Sequence, residues 1–538
     1  MTFNRKAKQS LNALYTVLII AGILILVNYI ASAVFFRIDI TQNKDYSVSR
    51  VSKDAARDLD DIVNIKGFFS ENVPPNLISI KQDVRDIIEE YKNYSNGKIR
   101  VSYIDPKDDE ELIKEARNLG IPELQFSSLE KDKYEVSTGY LGLAVIYGTK
   151  KEVIPVLDDT GNLEYELTSA IKKVMQKDDF TVGFLKGHGE LDKESELRFS
   201  SGELEKLYTV TAVDTANGNL IPDNISTLII AGAKEELTDR EKYAIDQFLM
   251  KGKSIFVLQE NIDVGEMLQT STNKSGLGPL LEHYGVKINN NFILDPSCEM
   301  ASFSSGFTQF FTSYPFWPKI LKKGFNSENV IVSQLEAAVF PWTSSVELVE
   351  NKLDGKEAVK LISTTDRAWV QDNPRNLSPQ QNFEKGEQSE KNAAVFLSGK
   401  FKSYYNDKDK PEKDIDEEID KADEASIAEA ATDEEFISET PYARLLVVGD
   451  SDFATDQFLK RFSFNMLFFQ NAVDALTMDE TLIQIRSKGV SDRPIKELSD
   501  AARNSTKFFN IFAVTIVVLL AGILRYFLRK KTKFEDNI

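Results

Sequence analysis

Two long hydrophobic segments, one near each end of the chain, constrain its fold more than any other feature. They cover residues 11–36 and 508–528, and each has about the 20 apolar residues that a helix needs to cross a bilayer. The residues between them are polar and acidic in character. The sequence therefore predicts a two-span membrane protein with a large water-facing body.

A cleaved signal peptide is the alternative interpretation of residues 11–36. The apolar run is about twice as long as the 7–15 residues of a signal core, and Val34-Phe35-Phe36 lacks the small residues of a cleavage site. An uncleaved signal anchor fits the segment better.

Basic residues near both segments predict the side of the membrane on which the body lies. Short flanks rich in lysine and arginine stay on the cytoplasmic side, as in the tails 1–10 and 529–538. Subtracting the eight basic and two acidic residues of the chain ends from the totals of 65 and 84 leaves 57 basic and 82 acidic residues, a net charge of about −25, for residues 37–507. We therefore expect a protein of the inner membrane with cytoplasmic termini and residues 37–507 in the periplasm.

Charge and cysteine content exclude several classes of protein. The acidic body argues against a nucleic-acid partner, because phosphate binding needs a basic surface. The single cysteine, Cys298, cannot form an internal disulfide. A body of about 470 residues is long enough for two to four domains.

Residues 37–175 show the alternation of a compact α/β domain. Apolar patterns predict strands at 63–69 and 99–104, helices at 79–94 and 109–119, and a hairpin of 140–147 with 152–156. The order resembles a thioredoxin-like fold, which implies a cis peptide bond before Pro122. The redox motif of that fold is missing, because Ser70-Glu71-Asn72-Val73-Pro74-Pro75 contains no thiol.

Residues 177–490 predict a second α/β domain, with an inserted lobe at about 300–440. Buried-type strands at 180–185, 227–231 and 254–258 and a helix at 238–250 indicate a parallel sheet covered by helices. The segment 407–439 has 15 acidic residues and 4 lysines, which is typical of a disordered insertion. Residues 491–507 connect this domain to the second predicted span.

Four polar residues are predicted to lie at one edge of this sheet, where ligands of such folds bind. His188 and Glu190 follow the first strand on a glycine-rich turn, and Asp450 and Asp452 follow a strand at 445–450 that should return to the same sheet. His188 and Glu190 could act as a base or hold a metal. They could equally hydrogen-bond the surrounding loops while the glycines permit a tight turn.

A group of aromatic residues around Trp317 and Trp342 has two interpretations. Such clusters stack on sugars or anchor protein interfaces. They also form the local core of loop-rich segments. The sequence leaves both open.

The order of several motifs along the chain resembles the auxiliary component of the gliding-motility ABC transporters, the GldG type. The motifs are Arg37-Ile38-Asp39-Ile40-Thr41, Tyr46-Ser47-Val48-Ser49, Gly187-His188-Gly189-Glu190, Val447-Val448-Gly449-Asp450-Ser451-Asp452-Phe453 and Asn471-Ala472-Val473-Asp474-Ala475-Leu476. The resemblance implies ABC permease and ATPase subunits as partners, and a central domain similar to class I glutamine amidotransferases, a flavodoxin-like sheet.

The residues that such an amidotransferase or an ATPase would need are absent. The turn Leu258-Gln259-Glu260-Asn261 has no Cys or Ser to serve as nucleophile. Gly252-Lys253-Ser254 ends like a phosphate loop, but Gln247 replaces its first glycine. We therefore expect no enzyme activity, no cofactor and no bound metal.

Two alternative functions stay open at this point. The first is a membrane-anchored module that binds a periplasmic glycan or peptide through His188, Glu190 and the aromatic cluster. The second is a hydrolase that uses His188, Glu190, Asp450 and Asp452 with a metal ion.

Overall fold

The computed structural model describes residues 48–478 and four short pieces at the chain ends. Gaps in the first range are 72, 108, 131–132, 158–159, 162, 176–179, 266, 306–307, 373–375, 382 and 412–434, and the pieces are 19–20, 22–23, 522–523 and 525. Internal contacts divide the chain into Met1–Val490 and Ser491–Ile538. The three described residues of the second unit are helical.

The two-span prediction is corrected by the helices of the structure. Within the described residues, no helix is both long enough and apolar enough to span a bilayer. Pro75–Tyr94, with 20 residues, buries only one side, including Val84, Ile88 and Tyr91, and its other side is charged.

Several predicted segments lie outside the described residues. The predicted spans 11–36 and 508–528 do so almost entirely, as do the tails 1–10 and 529–538 and the connection 491–507. Most of the acidic segment 407–439 does so as well.

The first part of the chain forms a mixed four-stranded sheet with helices. Its strand order is β2-β1-β5-β6, with β1 and β2 parallel and β5 antiparallel to both β1 and β6. β3 and β4 pair separately. The elements are α1 (Arg50–Arg57), β1 (Val63–Phe69), α2 (Pro75–Tyr94), β2 (Ile99–Ile104), α3 (Glu110–Leu119), β3 (Leu124–Glu130), β4 (Lys133–Gly139), β5 (Leu141–Tyr147), β6 (Lys150–Ile154) and α4 (Leu163–Met175).

Local sequence signals account for these elements. Asp109 begins α3 by accepting hydrogen bonds from the backbone of Glu111 and Leu112, and Gly120 ends it in the left-handed conformation. The strands at 63–69 and 99–104 agree with the prediction, whereas α2 begins four residues earlier than predicted and β6 covers 150–154 instead of 152–156. The helices α1 and α4 were not predicted. The expected cis bond before Pro122 is wrong, because the described residues contain no cis peptide bond.

A seven-stranded sheet dominates the rest of the described chain. Its order is β19-β21-β22-β10-β9-β7-β8. The elements are β7 (Thr181–Lys186), α5 (Arg198–Glu205), β8 (Thr209–Asp214), β9 (Ile225–Ala231), α6 (Asp239–Met250), β10 (Ser254–Leu258), α7 (Gly278–Tyr284), β19 (Lys356–Ser363), β21 (Asn392–Lys402), β22 (Glu439–Val448), α8 (Asp456–Leu459) and α9 (Phe464–Thr477).

This sheet is mixed, which corrects the predicted all-parallel arrangement. The strands β22, β10, β9, β7 and β8 run parallel, as expected, but β21 and β19 join antiparallel beyond β22. Residues 359–363 and 393–401 fall within the predicted lobe of about 300–440, but in the structure they belong to β19 and β21 of the main sheet. β22 does return to the sheet after the acidic segment, as predicted.

Helices cover both faces of this sheet. One core contains Ile245 and Phe248 of α6 and Leu280 of α7, and the core of the other face contains Leu204 of α5 and Phe469 of α9. Burial on both faces explains why the central strands read as continuous apolar runs.

Short strands form the rest of the region between β10 and β21. The pairs are β11 with β12, β13 with β18, β14 with β20, and β15 with β16, to which β17 also pairs. Their bounds are β11 (Ile262–Val264), β12 (Thr270–Thr272), β13 (Val286–Ile288), β14 (Asn291–Leu294), β15 (Cys298–Ser305), β16 (Thr308–Leu321), β17 (Ala337–Val339), β18 (Val346–Leu348) and β20 (Trp369–Asp372). The limits of 37–175 and 177–490 as separate domains stay a prediction.

Candidate functional site

The turn after β7 carries the first two predicted site residues. Gly187 and Gly189 have φ angles of +118° and +72°, a region that residues with side chains rarely adopt. The backbone carbonyl of His188 accepts hydrogen bonds from the amides of Lys234 and Glu235, both at 2.8 Å. These bonds fix the turn against the loop that follows β9.

The imidazole of His188 lies between two carboxylates. Its Nε2 is 3.1 Å from Glu241 Oε1, and its Nδ1 is 3.4 Å from Glu190 Oε1. Glu190 also accepts the His188 amide at 2.6 Å. Glu241 also closes the capping box of α6 with Thr238. The side chains of His188, Glu190 and Glu241 are all buried. Through its contact with Glu241, His188 joins the turn after β7 to the start of α6.

The turn after β22 carries the other two predicted acids. Ser451 donates its backbone amide and its hydroxyl to the carboxylate of Glu260, at 2.8 and 2.9 Å. Asp450 accepts the amide of Phe453 at 3.2 Å through Oδ1. Its Oδ2 is buried and has no hydrogen-bond partner within the described residues. Asp450, Asp452 and Glu260 therefore form one acidic cluster, which we call the edge cluster.

Burial and mutual repulsion alter the acidity of the edge cluster. Burial, then the charges of Asp452 and Glu260, hold the pKa of Asp450 well above its ordinary value. Burial, then the charge of Glu260, raises the pKa of Asp452 to about 8. Burial also raises the pKa of Glu260 to about 6, against the hydrogen bond from Ser451. At neutral pH the cluster therefore holds protons and can donate as well as accept hydrogen bonds.

The two predicted pairs share one sheet edge but do not touch. β9 and β10 lie between β7 and β22. Gly232 after β9 lies close to the second pair, because an added Cβ there would be 2.7 Å from Ser451 Oγ. The described residues contain no group of three or more His, Cys, Asp or Glu side chains that could hold a metal ion.

Trp317 and Trp342 lie in the core of the region between β10 and β21. Their rings meet edge to face with centroids 5.5 Å apart, and both contact Phe458. Trp317 is buried, and Trp342 donates its Nε1–H to Tyr314 Oη at 3.3 Å. Trp317 and Trp342 thus contribute mainly to internal packing.

The only cysteine is poorly suited to nucleophilic chemistry. Burial and the charge of Asp295 raise the pKa of Cys298 to about 11. A thiol attacks only as the thiolate, so Cys298 is almost entirely unreactive at neutral pH.

Two buried acids with several contacts in the structure, Glu260 and Asp474, were not among the predicted site residues. Glu260 was considered only as part of a turn without a nucleophile, although its place directly after a parallel strand indicates the sheet edge. Asp474 of α9 is buried and accepts hydrogen bonds from Tyr165 of α4 at 3.1 Å and from Tyr208 at 2.6 Å. It thereby joins the four-stranded and seven-stranded parts of the chain, and burial raises its pKa to about 7.

Comparison with known families gives two matches along the chain. Residues 180–479, more than half of the chain, match the family described as an ABC-type uncharacterized transport system. Residues 42–146 match a domain of unknown function. The first match includes the whole seven-stranded sheet and all six predicted site residues.

Individual relatives add little detail. An uncharacterized protein of Borreliella burgdorferi is 26% identical over 388 residues, which is 70% of this chain and 75% of that protein. The solved mmIFT52 N-terminal domain is 14% identical with a TM-score of 0.34 and covers 56% of this chain and 98% of its own. The exo-beta-1,4-mannosidase Op5Man5 from an Opitutaceae bacterium is 9% identical with a TM-score of 0.25, covering 76% of this chain and 51% of its own.

Proposed function

This chain belongs to the family described as an ABC-type uncharacterized transport system, and we propose that it works there as a non-catalytic auxiliary subunit beside an ATPase and a permease. The observation that carries the proposal is the extent of the family match, which spans the seven-stranded sheet from β7 to α9. Transport by an ABC system requires ATP hydrolysis, so the missing ATPase has to be another chain.

The roles of the candidate reactive groups support a non-catalytic subunit. Gly252 follows the end of α6 with a φ of +78°, and the ammonium of Lys253 is bound to the Asp223 carbonyl at 2.8 Å. Ser254 begins β10. The phosphate-loop-like triplet is therefore a helix-to-strand turn. His188 and Cys298 are likewise in environments that favour structural roles.

Affinity purification of the full chain from gently solubilised membranes tests this proposal. We expect an ABC ATPase and a multi-span permease to co-purify in fixed ratio, and an equally tagged unrelated membrane protein to recover neither. A chain that purifies alone, together with partners that ignore it when they are tagged instead, would contradict the proposal.

The proposal includes a location at the inner membrane, with the folded body on the periplasmic side. Its support is the transport family and the clustering of lysine and arginine at the two chain ends. Met267 is 88% exposed and suits a reporter. In a Cys298→Ser background, Met267→Cys should react with a membrane-impermeant maleimide in intact spheroplasts. The buried Val257→Cys should react only after denaturation, and labelling of Met267→Cys only after lysis would place the body in the cytoplasm.

Gliding motility is the finer form of this proposal. Its support is the resemblance of the motifs around His188 and Asp450 to those of the gliding-motility transporters. In a bacterium that glides, deletion of the gene should stop colony spreading, and the intact gene should restore it. Normal spreading after deletion would limit the proposal to transport.

A further inference from the structure

The outer part of the β15–β16 pair is a two-stranded ribbon, which consists of residues 300–305 and 308–313. In an antiparallel pair, directly opposed residues lie on the same face. On the inner face, Ala301 is buried and the ring of Phe303 contacts that of Tyr314, with centroids 5.1 Å apart. Tyr314 is itself buried in the core of the region between β10 and β21. The inner face therefore fixes the ribbon to the rest of the chain.

The outward face of the ribbon presents two large apolar side chains to the solvent. Met300 lies opposite Ser313 and Phe311 lies opposite Ser302, so all four residues share this face. The exposed fraction is 49% for Met300 and 60% for Phe311. The two are diagonal neighbours, and long side chains at such positions, about 7–8 Å apart, are within reach of each other. Together they form an exposed apolar pair, and such pairs mark sites of interaction.

Two cations lie beside this face, directly after α8. The guanidinium of Arg461 donates to the Met300 carbonyl and stacks on the ring of Trp317 at 5.2 Å. The ammonium of Lys460 lies 5.3 Å from the centre of the ring of Phe199, which is also exposed. Lys460 and Arg461 are exposed, and neither forms an ion pair with a carboxylate of the described residues. Both charges are therefore available to a partner.

The acidic groups beside these positions are already occupied. Asp456 accepts the amide of Phe199 at 2.8 Å, and Glu299 is bound to Lys319 at 2.5 Å. Residues 300–327 contain three lysines and no acidic residue, in a chain whose net charge is −19. The ribbon and its border therefore lack the acidic excess that the chain carries elsewhere.

A bilayer that contains anionic lipids combines the two chemistries that match this face. The boundary of its acyl region takes up exposed apolar side chains, and its phosphates attract lysine and arginine. A second copy of this acidic chain would instead bring like net charges together. The charges therefore favour a lipid surface over a second copy as the occupant.

We propose that the outward face of the ribbon docks on the surface of an anionic lipid bilayer. Met300 and Phe311 enter the boundary between the head groups and the acyl chains, and Lys460 and Arg461 bind lipid phosphates. The inference goes beyond the proposed subunit role and does not depend on it, because the ribbon can bind lipid whether or not the chain has transport partners.

A fluorescent reporter on the ribbon tests the inference in the full chain. Gln309 is exposed and lies two residues before Phe311, on the same face. In a Cys298→Ser background, Gln309→Cys is coupled to the dye NBD, whose emission rises in an apolar environment. We expect a rise with vesicles of equimolar phosphatidylcholine and phosphatidylglycerol, a much smaller rise with phosphatidylcholine alone, and quenching by nitroxide-labelled lipid. The matched control is Gln82→Cys on the exposed side of α2, where emission should not change.

Substitutions on this face should change the apparent affinity for the mixed vesicles in both directions. Met300→Ser with Phe311→Ser should weaken binding about tenfold, because both apolar anchors are lost. Ser313→Phe adds a third apolar side chain and should strengthen binding about threefold. Lys460→Glu should weaken binding to the mixed vesicles about fivefold, because it replaces an attraction to phosphate by a repulsion.

Two matched variants control for the general effect of apolar surface. Ile78→Ser with Tyr442→Ser removes two side chains that are exposed to a similar extent in α2 and β22. Ser79→Phe adds an apolar side chain at another exposed position of α2. Neither variant should alter the response of the dye at position 309. The thermal midpoint of each variant shows that the chain is still folded.

Several results would each overturn the inference. Emission from the dye at position 309 would stay unchanged with mixed vesicles, or would rise no more than emission from position 82. The control double variant would weaken binding as much as the ribbon double variant. An equal rise with phosphatidylcholine alone would exclude an anionic surface as the occupant. A rise with increasing protein concentration in the absence of lipid would show that a second copy covers this face.

Discussion

Gly449→Ala is expected to destabilise the folded chain by about 3 kcal/mol, the upper range for overpacking a buried site. An added Cβ would lie 2.1 Å from the backbone oxygen of Ser344 and 3.1 Å from Val346 Cγ2. The same backbones are already tied together, because the Ser344 amide donates to the Gly449 carbonyl at 2.7 Å. Neither backbone can move away without breaking this bond. The midpoint of urea unfolding, followed by circular dichroism, measures the loss.

Gly202→Ala is the matched control for this prediction. Gly202 is in α5, and an added Cβ there meets no heavy atom within 4 Å. Alanine is a better helix former than glycine by about 1 kcal/mol, so this variant should be slightly more stable than the parent chain. Equal urea midpoints for Gly449→Ala and the parent chain would show that the backbone of Ser344 leaves more room beside Gly449 than the structure shows.

Asp450→Asn is expected to stabilise the protein, and by more as the pH rises. Burial and two neighbouring carboxylates hold the pKa of Asp450 well above its ordinary value of 3.8. Folding raises the pKa of such an acid. Its contribution to the free energy of unfolding is fully present below the pKa that the acid has in the unfolded chain. That contribution is lost as the pH rises towards the pKa that the acid has in the folded chain. One such proton makes the free energy of unfolding fall by up to about 1.4 kcal/mol per pH unit. Asparagine keeps the shape and the acceptor for Phe453 and removes this loss.

The measurement is the free energy of unfolding at several pH values from 5 to 8. The parent chain should lose stability over this range, and the Asp450→Asn chain should lose less. Asp223→Asn is the control, because the hydrogen bond from Lys251 lowers the pKa of Asp223. The contribution of Asp223 to stability changes only at more acidic pH. The free energy of unfolding of Asp223→Asn should therefore fall from pH 5 to 8 with the same slope as that of the parent chain. Parallel curves for Asp450→Asn and the parent would contradict the account of the edge cluster.

As the pH rises, the edge cluster lowers the free energy of unfolding. The cluster also lies at the edge of the sheet where a ligand site is expected. Carboxyl groups with strongly raised pKa values occur preferentially at functional sites. Their place at the carboxyl ends of parallel strands is also where ligands of such sheets bind. The edge cluster is therefore the candidate site to test first.

Most of the regular elements were predictable because local patterns specify them. The strand Val63–Phe69 and the helix that Thr238 caps were recognised from apolar spacing and from the capping box. The positions of β19 and β21 in the sheet were not predicted. Their pairing with β22 joins residues far apart in sequence, and an apolar run does not record the direction in which a strand will pair.

The candidate site was predictable only in part, for a related reason. The glycine-rich turn at His188 and the acids at Asp450 and Asp452 have local signatures, and they do share a sheet edge. Glu241, by contrast, comes to His188 from the start of a helix more than 50 residues later. Whether a polar residue is free for a ligand or occupied by an internal partner depends on such distant neighbours.

The sequence by itself determined the α/β class, the acidic charge, the main strands and helices, and the lack of Cys or Ser at the turn after β10. Those properties follow from residue type and short-range spacing. Only the tertiary structure decided that the sheet is mixed, that Trp317 is internal packing, that Asp450 is buried beside other acids, and that Met300 and Phe311 share an exposed face. Those properties arise when distant segments meet, because burial and pairing alter pKa values and leave or fill cavities in ways that no local pattern encodes.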